Sequence, residues 1–481
     1  LPNILIIGEE KRMQASKTVQ KKNEMTEPVG LRSGLITNHR PHLAASPAMD
    51  AVQTLRAKIE NRTARMGVVG LGYVGVPLAM EFAKAGFEVT GIDVQESKVE
   101  RLNRGESYVQ DVPGDLLSGL VEQGHFRATT DTSVISQLDA VDICVPTPLR
   151  KTKDPDMSYI VSATQAIAQY CHPGMLIMLE STTYPGTTEE LVLPSLEASG
   201  LQVGKDFFLC FSPERVDPGN ANFNTSNIPK VVGGVTPVCT EMGALFYRQA
   251  LKHVIPVSST RVAEMVKLLE NTFRMINIGL VNEMALMCDR MGINVWEVIE
   301  AAATKPFGFM PFYPGPGLGG HCIPVDPFYL SWKTKQAGIE ARFIELAGYI
   351  NGQMPHFVVD KIQNALNDLA KPLRGAHVHV MGVAYKRDLD DIRESPALDI
   401  MHLLHRRGAL LTYCDPYVPS LRLDDLYLCS QDGTALADAD CAVIVTDHSC
   451  FDYRAIAGEA KLIVDTRNAL KGIHSNKIVR L

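Results

Sequence analysis

Six residues, Gly70-Leu71-Gly72-Tyr73-Val74-Gly75, have the spacing of a backbone turn that can receive a pyrophosphate. In such a turn Gly70 takes the tight bend, Gly72 leaves room for the anion, and Gly75 lets the following helix pack closely on the preceding strand. The N-terminus of that helix offers unpaired N–H groups to negative charge. Leu71, Tyr73 and Val74 complete the turn and are taken with it as cofactor contacts. Asp93 follows about 20 residues later, where a carboxylate can bind ribose hydroxyls. A carboxylate there repels a 2′-phosphate, so NAD is expected over NADP. Lys98 is a nearby cation that softens this repulsion and belongs to the same cofactor set.

A second constellation is Gly317-Leu318-Gly319-Gly320-His321-Cys322-Ile323-Pro324-Val325-Asp326-Pro327. Backbone this rich in glycine and proline must be a loop, and it lets a ligand come close. Gly319 is therefore a candidate substrate contact. A thiolate is a strong nucleophile when neighbouring positive charge lowers its pKa. A buried structural thiol is the competing reading of Cys322, and the residues alone leave both open. Lys267 and Asn271 stand four apart on a helical stretch, so they share a face, with Glu264 and Arg274 near the same stripe. By itself that pattern also fits a solvated face. Three further loops carry Thr147, Ser181-Thr182-Thr183, and Pro213-Glu214-Arg215. Each follows a candidate buried strand, and ligands of open α/β sheets bind beyond the carboxyl ends of the strands. Thr147 is assigned to the cofactor, Glu214 and Arg215 to the substrate.

These residues need elements to hold them. Apolar runs at 66–70, 87–92, 140–145, 176–179 and 207–211 read as buried strands. A long helix is expected over 261–291. After residue 374 a second alternation begins, with strands at 378–383, 410–413 and 441–446 and a helix at 396–407. The fold class is α/β: two Rossmann-like doubly wound domains joined by a long central helix. The expected division is 49–258 for cofactor binding, 259–370 for the helical middle with the cysteine loop, and 371–481 for the second α/β unit. Residues 1–48 lack periodicity and carry no signal-peptide pattern, and are expected to be a disordered or artefactual extension.

Composition narrows the class. The 481 residues are 46% hydrophobic and 21% charged, a globular balance. The net charge of −7 lacks the field of a nucleic-acid binder, and no apolar run is long enough to span a bilayer. Ten cysteines include no CxxC pair, so neither a disulfide scaffold nor a metal site is expected, and a reducing, cytoplasmic location is.

Taken in order, GLGYVG, the STT-PGT loop, FSPER, the K-x-x-x-N helix, GGHCIPVDP and the segment 384–396 resemble the UDP-glucose/GDP-mannose dehydrogenase family. The loop 305–322, with the stretches 180–188 and 211–220, looks most like the UDP-N-acetylglucosamine 6-dehydrogenase branch. The resemblance implies NAD-dependent four-electron oxidation of a nucleotide sugar at C6, making a uronic acid for surface polysaccharide. It implies UDP-N-acetylglucosamine as substrate, with UDP-N-acetylmannosamine or UDP-glucose as alternatives. An NAD-binding redox regulator is the non-enzymatic alternative. It also implies that Cys322 is the nucleophile, that Lys267 and Asn271 stabilise developing charge and orient water, and that Thr182, Glu214 and Asp326 support them. Lys386 and Arg467 are implied substrate contacts, and Arg393 a cofactor contact across the cleft. A homodimer through the long helix is implied as well.

Overall fold

The computed structural model describes residues 47–481 apart from 151–153, 218–219, 221 and 432–433. The expectation for 1–48 therefore falls almost wholly outside the described residues. The helix Pro47–Glu60 takes in its last two positions.

The first sheet is built from β1 (Arg65–Val69), β2 (Glu88–Ile92), β3 (Phe126–Thr129), β4 (Ala140–Ile143), β5 (Leu176–Leu179), β6 (Phe208–Phe211), β7 (Lys230–Gly234) and β8 (Val254–Val257). Its order is β3-β2-β1-β4-β5-β6-β7-β8. All neighbours are parallel except β6 and β7. Helices cover both faces of such a sheet, and the central strands β4, β5 and β6 are accordingly buried along their whole length. Strand order reverses between β1 and β4, which places the Gly70–Gly75 turn and the loop through Thr147 at the same crevice.

The second sheet comprises β9 (His377–Met381), β10 (Leu410–Cys414), β13 (Cys441–Ile444), β14 (Ile463–Asp465) and β15 (Ile478–Arg480), in the order β10-β9-β13-β14-β15 and wholly parallel. A hairpin of β11 (Ser420–Leu423) and β12 (Leu426–Cys429) flanks it. Both sheets are doubly wound, as the sequence led us to expect. The long, apolar strands lie within a residue or two of their expected positions. The short ones were not foreseen: β3 alternates over only four residues, Phe-Arg-Ala-Thr, and β8 contains a proline and has no period-2 pattern.

Two long helices join the sheets, where the sequence reading had one. Thr260–Met291 is capped by Ser259, whose Oγ accepts the Val262 N–H at 3.3 Å, and ends on left-handed Gly292. Arg342–Asp368 packs against it and contains Pro355. Proline removes one helical hydrogen bond and argues against a helix in sequence. Here Pro355 is buried and lines the central cleft. Among the described residues, no helix is long and apolar enough to cross a membrane.

Candidate active site

A cleft of about 920 Å³ lies where the first sheet, the two long helices and the 382–396 segment meet. It is lined by Gly72, Tyr73, Val74, Thr147, Thr182, Glu214, Lys267, Cys322, Asp326 and Arg393, so half of the residues assigned from the sequence converge on it.

The glycine turn has the geometry a dinucleotide needs. Gly70 has φ +97°, and a Cβ on it would meet the Cys144 carbonyl at 2.7 Å. A Cβ on Gly75 would lie 2.0 Å from the Gly70 carbonyl oxygen, so helix and turn could not close. A Cβ on Gly72 would meet nothing within 4 Å, leaving open space at the turn. Asp93 is buried and braces the turn: its Oδ2 accepts the Leu71 N–H at 2.9 Å and lies 3.6 Å from Lys98 Nζ. Tyr108, which the sequence did not single out, donates its hydroxyl to the Leu71 carbonyl at 2.6 Å. These residues fit NAD.

The cysteine loop is held from the second α/β unit. The Gly320 N–H donates to the Arg393 carbonyl at 3.0 Å, and a Cβ on Gly319 would lie 2.6 Å from Tyr385 Cβ. Gly319 is thus the place where Tyr385 packs, and it does not line the cleft. The Cys322 carbonyl accepts the N–H groups of Val325 and Asp326, starting the helix Asp326–Gln336. Burial pushes the Cys322 thiol up to about 11, opposed chiefly by the Lys267 charge. His321 is not the activating cation. Burial, helped by Arg393 and Lys267, pushes it down to about 4, so it is a neutral imidazole.

Lys267 is buried. Desolvation alone would lower its pKa, but the negative charge available on Cys322, Asp326 and Glu214 outweighs burial and raises it. It is a permanent cation beside the thiol. Burial raises Asp326 to about 6, against Lys267 and Asn271. Asn271 donates to Asp326 Oδ2 at 2.6 Å and does not itself line the cleft. Glu214 is ionised: burial opposes this, but Lys230 and the backbone N–H groups of Val216 and Arg215 lower its pKa.

Several assigned residues stand elsewhere. Arg215 makes a two-pronged pair with Glu270 at 2.6 and 3.2 Å and donates to the Pro229 carbonyl, so it braces a loop and does not line the cleft. Lys386 pairs with Asp217 at 3.0 Å. Arg467 donates to the Val445 carbonyl at 2.8 Å and lies against Gly315, outside the lining of the cleft. Asp93 and Lys98, by contrast, stay at the turn: Asp93 braces it and pairs with Lys98. Glu264 does not join the Lys267 stripe; it clamps the 186–188 turn through the N–H groups of Gly186 and Thr188. Arg393 stacks over Tyr73, with its guanidinium carbon 5.3 Å from the ring centre.

Comparison with known proteins agrees with this architecture. The chain matches the UDP-glucose/GDP-mannose dehydrogenase family in its NAD binding domain over 64–251, its central domain over 261–353 and its UDP binding domain over 379–472. It is 38% identical to the UDP-N-acetyl-D-mannosamine dehydrogenase of Salmonella typhi, with 84% of this chain and 98% of that one covered. Among solved structures it resembles the UDP-D-ManNAc dehydrogenase of Pyrococcus horikoshii, at 33% identity, TM-score 0.80 and coverage of 86% and 98%. It also resembles the UDP-N-acetyl-mannosamine dehydrogenase of Staphylococcus aureus, at 33% identity, TM-score 0.76 and coverage of 87% and 98%. These names overturn the expected placement in the N-acetylglucosamine branch. The two sugars differ only in configuration at C2 and present the same primary alcohol at C6. The glycine turn, the cysteine loop and the three matched domains together establish that the chain belongs to the UDP-glucose/GDP-mannose dehydrogenase family and is an NAD-dependent dehydrogenase of a nucleotide sugar.

Proposed function

We propose that the protein oxidises UDP-N-acetylmannosamine at C6 to the uronic acid, in two successive two-electron steps on one active site. The observation that carries this reading is the buried Lys267 beside the thiol of Cys322, on a cleft shared by the glycine turn and the 382–396 segment. The substrate follows from the relatives, which are named for N-acetylmannosamine. The unit over 49–258 holds NAD through Gly70–Gly75, Asp93 and Thr147; 259–370 carries the cysteine loop; 371–481 holds the nucleotide end of the substrate.

When bound, NAD accepts one hydride per oxidation and is therefore needed twice. The protein must keep the aldehyde formed between the two. Cys322 does so by adding across the carbonyl: its sulfur bonds to the aldehyde carbon, the C=O double bond becomes single, and the thiol proton passes to the oxygen. The resulting thiohemiacetal still carries the hydrogen that the second oxidation removes, which leaves a thioester. Water displaces the sulfur, giving the acid and restoring the thiol. Lys267 faces the oxygen on which negative charge develops, in a site shielded from water, where such a charge acts strongly. Asp326, with a pKa of about 6, is ionised at neutral pH and accepts the Asn271 amide, which fixes its carboxylate in the wall of the cleft. Thr182 and Glu214 line the same cleft and orient the sugar.

NADH yield tests the reading. UDP-N-acetylmannosamine should give two NADH per sugar, and NADP in place of NAD should support slower turnover because Asp93 disfavours a 2′-phosphate. One NADH per sugar would mark a simple dehydrogenase and none a regulator. UDP-N-acetylglucosamine, UDP-glucose, UDP-N-acetylgalactosamine and GDP-mannose complete the panel.

A homodimer through the two long helices is part of the proposal. Leu269, Phe273, Leu280, Met287, Phe343, Leu346 and Tyr349 all expose apolar surface on them. Sedimentation at micromolar concentration would show a monomer mass if this is wrong. We place the enzyme in the cytoplasm because all ten cysteines are free thiols, and cell fractionation checks it.

A further inference from the structure

Behind Glu214 the protein buries two more carboxyls, one ammonium and one phenol. β4 supplies Asp142, the end of β5 Glu180, β7 Lys230, and the helix Pro237–Tyr247 its last residue, Tyr247. All four are buried, with Asp142 and Tyr247 fully so. Lys230 Nζ donates to Glu180 Oε2 at 2.7 Å and to Glu214 Oε2 at 3.2 Å. The Tyr247 hydroxyl lies 2.6 Å from Glu180 Oε1 and 3.2 Å from Asp142 Oδ1.

Hydrogen counting fixes the charges. A phenol has one hydrogen to give. The shorter contact takes it, so Tyr247 donates to Glu180. The Asp142–Tyr247 contact then needs a hydrogen from Asp142, since two lone pairs would otherwise face each other. Asp142 Oδ2 has no hydrogen-bond partner among the described residues, an arrangement that strongly disfavours a buried carboxylate. A neutral acid with its proton on Oδ1 satisfies both observations. Lys230 then bridges two carboxylates, Glu180 and Glu214, and the second of these also faces Lys267.

We infer that Lys230 is a positioning residue for Glu214, anchored through Glu180 and Tyr247 to a protonated Asp142. This rests on the reading of Glu214 as a group that faces the sugar. A buried ion pair is often only structural. This one ends on the cleft, because Glu180 and Glu214 both line it while Lys230 stands behind them. Without the Lys230 ammonium on Oε2, the Glu214 carboxylate would keep only the Arg215 and Val216 N–H groups, both on Oε1, and would take up a proton more readily. Burial likewise raises the pKa of Asp142 and of Glu180. The other titratable neighbours are the thiols of Cys144 and Cys210, which burial keeps neutral, and Lys267, which faces Glu214 from the 260–291 helix.

Lys230→Met in the full chain tests this. Its kcat should fall roughly 10- to 100-fold, the scale for losing a group that orients a functional side chain. KM for the sugar should stay within about threefold, because the lost group acts behind the substrate. The acid limb of the kcat profile should move to higher pH, since Glu214 loses its cation, and Lys230→Arg should restore most of the rate. The infrared spectrum of the parent chain near pH 7 should contain a protonated-carboxyl band that disappears in Asp142→Asn. A folded Lys230→Met with the parent's kcat and an unmoved acid limb overturns the inference. If Lys230→Met does not fold, Tyr247→Phe decides: a several-fold lower kcat and a shifted carboxyl band are expected, and the parent's rate with an unchanged spectrum overturns the inference. Failure of the proposed function would appear in the parent chain as a missing NADH yield. Failure of this inference leaves that yield at two and shows only in the variants.

Discussion

Cys322→Ser should bind NAD and the nucleotide sugar as the parent does, yet lose steady-state acid formation by roughly 10³-fold or more. The second oxidation needs an adduct whose carbon still bears a hydrogen, and release needs a group that water can displace. Thiolate meets both demands. A serine hydroxyl ionises far less readily at neutral pH, and an ester is displaced more slowly than a thioester. The cysteine is itself held as a thiol, with a pKa of about 11 in the resting protein, so the proton must leave as the aldehyde is trapped. In Cys322→Ser, intact-mass measurement should detect any ester that accumulates as a sugar adduct. Cys450→Ser is the control, because Cys450 is exposed and remote from the cleft. Acid formed by Cys322→Ser at the parent's rate would exclude covalent trapping at this residue.

Lys267→Met should lower kcat by roughly 10²- to 10³-fold, the range for losing one electrostatic donor to a developing oxyanion. Methionine keeps much of the volume, so the change removes a charge more than a shape. The sign of the accompanying pH effect follows from the geometry. Lys267 is the chief group that lowers the Cys322 pKa against burial, so without it that pKa rises further above about 11. The rise of rate with pH should therefore shift to higher pH, and alkylation of Cys322 by iodoacetamide at pH 8 should slow. Asp326 loses its cation as well, and its pKa should climb above about 6. Unchanged alkylation in a folded Lys267→Met would show that the ammonium does not govern the thiol.

The two doubly wound sheets, the glycine turn and the cysteine loop are legible in the chain alone. Those features are local. Gly70 needs positive φ, Gly75 needs room for a carbonyl, and β4, β5 and β6 are continuous apolar runs because both faces of the sheet are covered. A reader of the chain can recover them from a few neighbouring residues. The second long helix was hidden because Pro355 breaks a local rule that burial against the 260–291 helix overrides.

Which polar residues line the cleft and which hold others in place depends on contacts between distant segments. Arg215 and Glu214 are adjacent in sequence, yet one pairs with Glu270 and the other lines the cleft. Glu264 and Lys267 share a helix, yet one clamps a turn and the other stands beside Cys322. Lys230 and Tyr247 carry no motif. They matter because strand order brings Asp142, Glu180, Glu214 and Lys230 side by side on β4 to β7, at separations the sequence does not display. The sugar was misplaced for a related reason. The motifs behind its placement are short local stretches, and the two C2 epimers present the same primary alcohol at C6.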